Sequence, residues 1–383
     1  MRVAFVGNMN QHAFVAVRHL RKLGVAADLV IHGTDLPEFH PSYDTFDRSY
    51  MQYTRNVGWG DPALFSAVSP DTVRDTLAGY DAIVTEGPVP AFLHHAGLRA
   101  QLLLPFGDDV RELPKMRFRR PRRGATSSLV LFPTALRSGL REVAQVGGVL
   151  PADLGAALDA WEVGAPRRPF PRVPIWDAEL GPDAIELVFR RSAWLPEIDA
   201  VRRRADVVLF HHSADPVGRP EAPVVLAPSL VDVLAAVRRA HADVAVELVI
   251  LETAPGADLA LERAEELGIK EHVLMLPPVP RKELLIALAV SDVVIGAGEG
   301  SLASPGIALD GLALGKTVIV SGAPEDAELP ILGVGSPEAM TRRLGEYIAD
   351  RALGKALAQK GRAFYEREIR DAGFRGLEAA LGL

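Results

Sequence analysis

A loop of small residues between two apolar runs is the stretch of this sequence best suited to hold a charged ligand. Residues 291–321 read SDVVIGAGEGSLASPGIALDGLALGKTVIVS. Val293 to Ile295 spells a short strand, and Gly296, Gly298, Glu299 and Gly300 fall in the loop behind it. A helix opens at Pro305-Gly306 and ends at Gly315, and Thr317 to Val320 is a second strand. Proline in a first turn and glycine just past a last turn are the usual punctuation of a helix. A helix start leaves N–H groups without intrahelical partners, and the dipole behind them favours negative charge. The amides of Gly300, Ser304, Gly306 and Ile307 are therefore a candidate phosphate seat. Asp310, one turn further on, adds a carboxylate at a reach suited to a ribose hydroxyl. An ordinary βα turn has the same spacing, so spacing alone leaves both readings open.

A second polar turn, His211-His212-Ser213-Ala214-Asp215-Pro216-Val217-Gly218-Arg219, follows the apolar run Val207–Phe210. Ser213 and Arg219 are its candidates for contact with a donor, Arg219 being the only cation near that strand end. Two histidines and an aspartate suggest a metal, but adjacent side chains on a strand point to opposite faces. No third ligand converges, and no metal is expected. Lys115, Arg117, Arg119, Arg120, Arg122 and Arg123 place six cations within residues 115–123. A solvated loop, a dock for an anionic acceptor or donor phosphate, and a weak contact with an anionic surface all fit this patch. An amphipathic membrane anchor needs more than its one aromatic residue, Phe118.

The chain that must position these groups has 383 residues, too many for one ordinary core and enough for two. Its hydrophobic content of 48% can fill those cores. A formal net charge of −7 argues against a nucleic-acid partner, whose phosphates demand a cationic face. The absence of cysteine excludes disulfides, thiolate nucleophiles and cysteine-based zinc sites, and it fits a reducing compartment. MRVAFVGNMNQ has too short an apolar run for a signal peptide, and no apolar run reaches the roughly 18 residues of a membrane span. A cytoplasmic protein is expected.

Taken in order, Val3 to Val6 is a buried strand ending in Gly7-Asn8-Met9-Asn10. A helix follows with Phe14, Val15, Val17, Leu20 and Leu23 at helical spacing, then a strand from Ala27 to Ile31. Strand, polar turn, helix and strand open a doubly wound sheet whose ligand edge lies at the strand C-termini. GNMN lacks the GxGxxG dinucleotide signature, so NAD is not expected. Residues 33–65 have no clear period and carry many aromatic and polar groups, which points to an acceptor-binding loop. His40 and His12 are candidates there. Strands are expected at Ala82–Thr85, Ala100–Leu104 and Leu129–Phe132, with amphipathic stretches at 135–145 and 152–161. Residues 164–205 read as a linker or crossover rich in Pro and Arg. Strands at Val207–Phe210, Val246–Leu251, Val273–Leu276, Val293–Ile295 and Thr317–Val320 then alternate with helices, the pattern of a second parallel sheet.

GIALDGLALGKTVIV resembles the most characteristic segment of the retaining glycosyltransferases of family 4, which have the GT-B fold. Asp310 sits at the second of two glutamates spaced eight apart in that pattern, and Gly315-Lys316 at its Gly-Lys. Leu302 occupies the place of the first glutamate, and Glu299 is the nearest acid to it. Residues 265–295 resemble the preceding family segment, in which the backbone after a strand, here Leu276-Pro277, contacts the base. FHPSYDTFD and the opening GNMN resemble a group of bacterial and archaeal members. PFGDDVRE resembles their His-Gly-Ser-Asp-Val-Arg loop at the reacting sugar, with Phe106 at the His and Asp109 at the Asp. No Lys-Gly pair follows the first strand of the second half, where family members use one on the diphosphate.

The resemblance implies an α/β protein of the GT-B class, two Rossmann-like domains facing an interdomain cleft. Its expected divisions are 1–168 on the acceptor side, a crossover at 169–204, a nucleotide-sugar domain at 205–355, and closing helices at 356–383 that pack back on the first domain. It implies transfer of a sugar from a UDP- or GDP-type donor to an unknown small-molecule, glycan or lipid-linked acceptor, with retention and with neither metal nor cofactor. Asp109 and Glu299 are the candidate catalytic residues. Gly7, Asn8, Asn10, Gly107, Ser213, Arg219, Leu276, Gly300, Ser304, Gly306, Ile307 and Asp310 are the candidate donor contacts. Asp108 or Asp109 as a plain helix cap is the competing reading of that loop. A nucleotide-sugar epimerase and a non-catalytic nucleotide-sugar binder are the alternatives, the latter motivated by Leu302, Phe106 and the missing Lys-Gly.

Overall fold

The structure is a computed structural model describing residues 1–32, 35–116, 128–176, 190–212, 227–254, 256–297, 302, 306–324 and 327–383. Two parallel sheets organise it. The first has the order β3-β2-β1-β4-β5-β6-β7. Its strands are β1 (Arg2–Val6), β2 (Ala26–Ile31), β3 (Thr54–Asn56), β4 (Ala82–Thr85), β5 (Leu102–Leu103), β6 (Val146–Gly147) and β7 (Arg167–Arg168). The second has the order β10-β9-β8-β11-β12-β13. Its strands are β8 (Val207–His211), β9 (Val246–Leu251), β10 (Val273–Leu276), β11 (Val293–Ala297), β12 (Thr317–Ser321) and β13 (Leu332–Val334). Every pairing in both sheets is parallel.

Burial on both faces explains the unbroken apolar strands. In β1, Val3 and Phe5 enter one core cluster, and Ala4 and Val6 enter another on the opposite face. Helix α1 (His12–Lys22) covers the first face through Phe14, Val17 and Leu20. The opposite face is covered by α2 (Pro70–Leu77), α3 (Val89–His95) and α5 (Ser128–Glu142), with the short α4 (Asp108–Arg111) between the last two. Trp59, Phe65, Phe92 and Phe132 form an aromatic cluster there, with Phe65–Phe92 centroids 5.1 Å apart. The helix α6 (Ala152–Ala160) adds Leu154 and Leu158 to it.

Leu129–Phe132 belongs to α5 and is not a strand. Phe132, Pro133, Leu136, Gly139 and Leu140 are all buried, and these mixed odd and even spacings share a face on a helix, whereas a strand would split them between two faces. Four apolar residues alone could not distinguish the two. Residues 35–67 consist largely of 3₁₀ turns, at Pro37–Phe39, Pro41–Tyr43, Ser49–Gln52 and Pro62–Ala67, interrupted by β3.

The second sheet carries α7 (Leu195–Arg204), α8 (Ala227–Ala240), α9 (Ala257–Glu266), α10 (Arg281–Val290), α11 (Ala308–Ala313), α12 (Pro337–Ala349) and α13 (Arg351–Phe364). Two compact units result, one of Met1–Ile175 with Glu368–Leu383, the other of Trp176–Arg367. Residues 356–367 thus pack with the second unit, and the return to the first comes at Glu368 instead of 356. Arg362 donates to the Ala313 carbonyl and, over Gly361, Leu312 packs so closely that a Cβ would meet it at 2.6 Å. The last helix, α14 (Ala372–Leu381), lays Leu377, Ala380 and Leu381 into the α1 side of the first core. Among the described residues no helix is long and apolar enough to cross a membrane.

Helices α3 and α5 meet at backbone distance, since a Cβ on Gly139 would lie 2.0 Å from the Pro90 carbonyl oxygen. Gly139→Ala should therefore destabilise the chain by about 1–3 kcal/mol through forced separation of these helices. Urea unfolding at a fixed pH measures this; a variant as stable as wild type would show that the contact yields easily.

Candidate functional site

In each sheet the chain leaves the first strand in one direction and later returns on its other side. The reversals lie between β1 and β4 and between β8 and β11. Such a reversal opens a crevice beyond the strand C-termini, where open α/β sheets bind ligands.

At the first reversal the chain turns at Gly7, with φ +101° and a position where a Cβ would come within 2.6 Å of the Glu86 side chain. Only glycine meets both demands. Asn8 is completely buried. Its Oδ1 accepts from the Phe14 N–H at 2.9 Å, and its Nδ2 donates to Gln11 Oε1 at 2.8 Å and to the Phe39 carbonyl. Asn8 thus ties α1 to the segment after β2. Asn10 is exposed beside it in the left-handed region, φ 53°.

Asp109 is enclosed in the same way. Only 1% of it is exposed, and its carboxylate accepts from the N–H groups of Gly107 at 2.8 Å, Phe106 at 3.2 Å and Gly87 at 3.3 Å. It holds two loops together. The N–H of Gly107, a candidate donor contact, is engaged in this bond.

Glu86 is the residue that the sequence reading passed over. It follows β4 directly, is 4% exposed and accepts from the Met9 N–H. Burial pushes its carboxyl up to about 8, and burial likewise pushes Asp109 up to about 6. Arg172, which donates to the Pro105 carbonyl, brings the positive charge that opposes both shifts. Next to them, burial raises Asp35 and lowers His32, whose Nε2 stands 3.4 Å from Asp35 Oδ1. The one sign available in advance was an acid placed between an apolar strand and Gly87-Pro88.

In the second unit β8 ends at His211, whose Nδ1 lies 3.1 Å from the Ile295 carbonyl oxygen and which burial depresses to about 4. Leu276 closes β10, its carbonyl accepting from the Glu252 N–H at 2.7 Å. Beyond β11, Gly306 takes φ +53° and Ile307 packs over Gly296, where a Cβ would meet Ile307 Cγ2 at 2.8 Å. Helix α11 begins at Ala308, later than Pro305-Gly306, and has only six residues, so its dipole is weaker than the sequence suggested. Asp310 stands in its first turn and accepts from Arg281 Nη2 at 3.0 Å, both side chains being mostly buried. Arg281 opens α10 and is a cation the sequence reading did not single out. Lys316 is turned away, donating to the Ala289 carbonyl. The Leu302 N–H donates to Glu328 Oε2 at 2.8 Å. Ser213, Arg219, Glu299, Gly300, Ser304 and most of the cationic patch, residues 117–123, lie outside the described residues. Among the described residues no His, Asp and Glu cluster suits a metal ion.

The raised Glu86 carboxyl fixes a pH dependence. Between the unfolded value near 4.5 and the folded value of about 8, the native state holds the extra proton. Stability therefore falls as pH rises through that window. Glu86→Gln keeps an acceptor for Met9 and removes the titration, so it should flatten the decline and be more stable than wild type at pH 8. Urea midpoints measured from pH 5 to 8 test this; parallel curves for the two proteins would exclude a buried, protonated Glu86.

No family model matches the chain, and no curated protein matches it in sequence. Solved structures do. Anabaena HepE in complex with UDP and glucose matches at 12% identity and TM-score 0.61, over 100% of both chains. Sucrose-phosphate synthase from Thermosynechococcus elongatus matches at 14% identity and TM-score 0.56, over 100% of this chain and 98% of that one. A putative UDP-N-acetylglucosamine 2-epimerase from Listeria monocytogenes matches at 13% identity and TM-score 0.58, over 99% of this chain and 94% of that one. Together with the two parallel sheets, these whole-length likenesses show that the chain has the GT-B fold.

Proposed function

We propose that this protein is a glycosyltransferase that moves a sugar from a nucleoside diphosphate donor to a hydroxyl acceptor, with retention and without a metal. The observation that carries the reading is the Arg281–Asp310 pair at the C-terminal end of the second sheet, inside the segment that resembles family 4. A carboxylate already oriented by a guanidinium is suited to accept from ribose hydroxyls. The guanidinium beside it offers the diphosphate a cation that the missing Lys-Gly would otherwise supply. UDP and sugar in the HepE structure and the whole-length likeness to sucrose-phosphate synthase are consistent with such a donor.

In the transfer, the bond from the anomeric carbon to the phosphate oxygen breaks and its electron pair leaves with the nucleoside diphosphate. The acceptor oxygen bonds to that carbon from the same face, and its proton passes to the departing phosphate. Stabilising the charge that develops on the leaving group is the main demand on the protein. Arg281 and the amides near Gly306 and Ile307 are assigned that task, Asp310 the ribose, and the backbone after Leu276 the base.

Epimerisation of the nucleotide-sugar is the second reading, favoured by Glu86 and Asp109. These two enclosed carboxyls are displaced to about 8 and about 6, which separates an acid from a base near neutral pH. Two of the similar structures are described as UDP-N-acetylglucosamine 2-epimerases, one of them as putative.

A thermal-shift panel of UDP, GDP, ADP and TDP with their sugars tests donor binding, because a ligand specific to the folded state raises the midpoint. One base series should stand out, and a panel without any shift would defeat the donor reading. NMR of the products then separates the two reactions, since transfer gives a nucleoside diphosphate and a new glycoside, whereas epimerisation gives an altered nucleotide-sugar. Asp310→Ala should weaken binding of the preferred nucleoside diphosphate by about 1–3 kcal/mol in calorimetry. An unchanged affinity would take Asp310 out of the site.

A further inference from the structure

A cavity of about 400 Å³ opens where β2 and β3 end, bounded by Ile31, His32, Asn56, Val57 and the turns from Asp35 to Tyr43. That volume is in the range of small-molecule sites. The outer wall is fixed by buried side chains of the first unit. Asn8 Nδ2 donates to the Phe39 carbonyl, and Gln11 Nε2 donates to the Glu38 carbonyl at 2.8 Å and the His40 carbonyl at 3.2 Å. The floor is tied as well, with the His32 N–H donating to Asp35 Oδ2 at 3.0 Å. A Cβ on Gly87 would lie 3.6 Å from His32 Nε2, so the cavity backs onto the turn that carries Glu86. A pocket held in this way is ready before its ligand arrives.

Its chemistry is two-sided. Ile31, Leu36, Pro37 and Val57 supply apolar surface, while His32, Asp35, His40, Ser42 and Asn56 supply polar groups. Because Nδ1 of His40 accepts from the Ser42 N–H at 3.2 Å, the neutral ring carries its proton on Nε2. Tyr43 adds an aromatic ring. No lysine or arginine is among the described residues that line the cavity, and Asp35 is an acid in its wall. A phosphate or carboxylate would find no countercharge there.

We propose that this cavity takes the acceptor, and that the acceptor presents to it a neutral ring bearing several hydroxyls, a sugar or a cyclitol. The word acceptor rests on the transfer reading above; the ligand class rests on the cavity alone. Ring hydroxyls pair with the mixed donors and acceptors, and the C–H face of the ring lies against the apolar side.

The test titrates the whole chain by calorimetry with free monosaccharides, cyclitols and the phosphate esters of both, with and without a nucleoside diphosphate. Neutral rings should bind, and their phosphate esters should bind about tenfold more weakly or worse. The monosaccharide and cyclitol arms decide between those two sources. Asn56 is exposed at the end of β3, so Asn56→Trp should obstruct the cavity without entering the core, and should reduce binding of the preferred ring by about tenfold or more. Circular dichroism and the unfolding midpoint establish that this variant is folded. Preference for the phosphate esters, absence of binding by every neutral ring, or unchanged binding by folded Asn56→Trp overturns the proposal; the first two are read on the wild-type chain and do not depend on the variant. Ring binding without any nucleoside diphosphate binding would defeat the donor reading and leave the cavity assignment standing.

Discussion

Both faces of each sheet are buried, and that constraint shapes everything polar in this chain. Val3, Phe5, Ala4 and Val6 fill cores on opposite sides of β1, and Val293 and Ile295 of β11 lie in the core of the second unit. The inner strands β4, β8, β9 and β12 are buried along their whole length, so chemistry collects at the strand ends, where backbone direction changes and amides lose their ladder partners. Parallel pairing puts every C-terminal end of a sheet on one edge. The two reversals of strand order then fix where on that edge a crevice opens.

At the first of these edges the protein encloses carboxylates instead of exposing them. Asp109 satisfies three backbone N–H groups from two loops, and Glu86 satisfies a fourth. A buried amide without an acceptor is costly, so these acids have a clear structural task. The same burial raises both carboxyls, and it makes the loop geometry and the local proton balance one property. Asn8 and Gln11 extend the principle outward, fastening the turns after β2 to the start of α1. The edge is therefore rigid close to the strands. Under the proposed function donor recognition falls to the other unit, where Arg281 and Asp310 stand on two neighbouring helices at the start of each.

Much of the architecture could be read directly from residues. Apolar runs such as VVLF and VELVIL between helical stretches require a parallel sheet, and glycine at Gly7 and Gly315 marks turns with positive φ. The run Leu129–Phe132 misled because four apolar residues serve a strand or a helix equally well, and only the burial of Leu136, Gly139 and Leu140 together, at mixed odd and even spacing, decides. The candidate site was less legible. Asn8 and Asp109 are polar residues near strand ends, but their partners, Phe39 in one case and Gly87 in the other, are distant in sequence. Arg281 carries no local signal, because it follows a proline-rich turn and is separated from Asp310 by a helix, a strand and a loop.

By itself the sequence determined what depends on local pattern: two cores, parallel strands, the turns that end them, and a small-residue loop feeding the helix of GIALDGLALGK. These follow from periodicity and from the φ angles that glycine and proline permit or forbid. Tertiary structure alone decided which polar groups are enclosed and which charge stands beside which, as in Glu86 against Gly7 and Arg281 against Asp310. Desolvation and charge pairing act through space over a few ångströms, and strand order, not sequence distance, sets who the neighbours are.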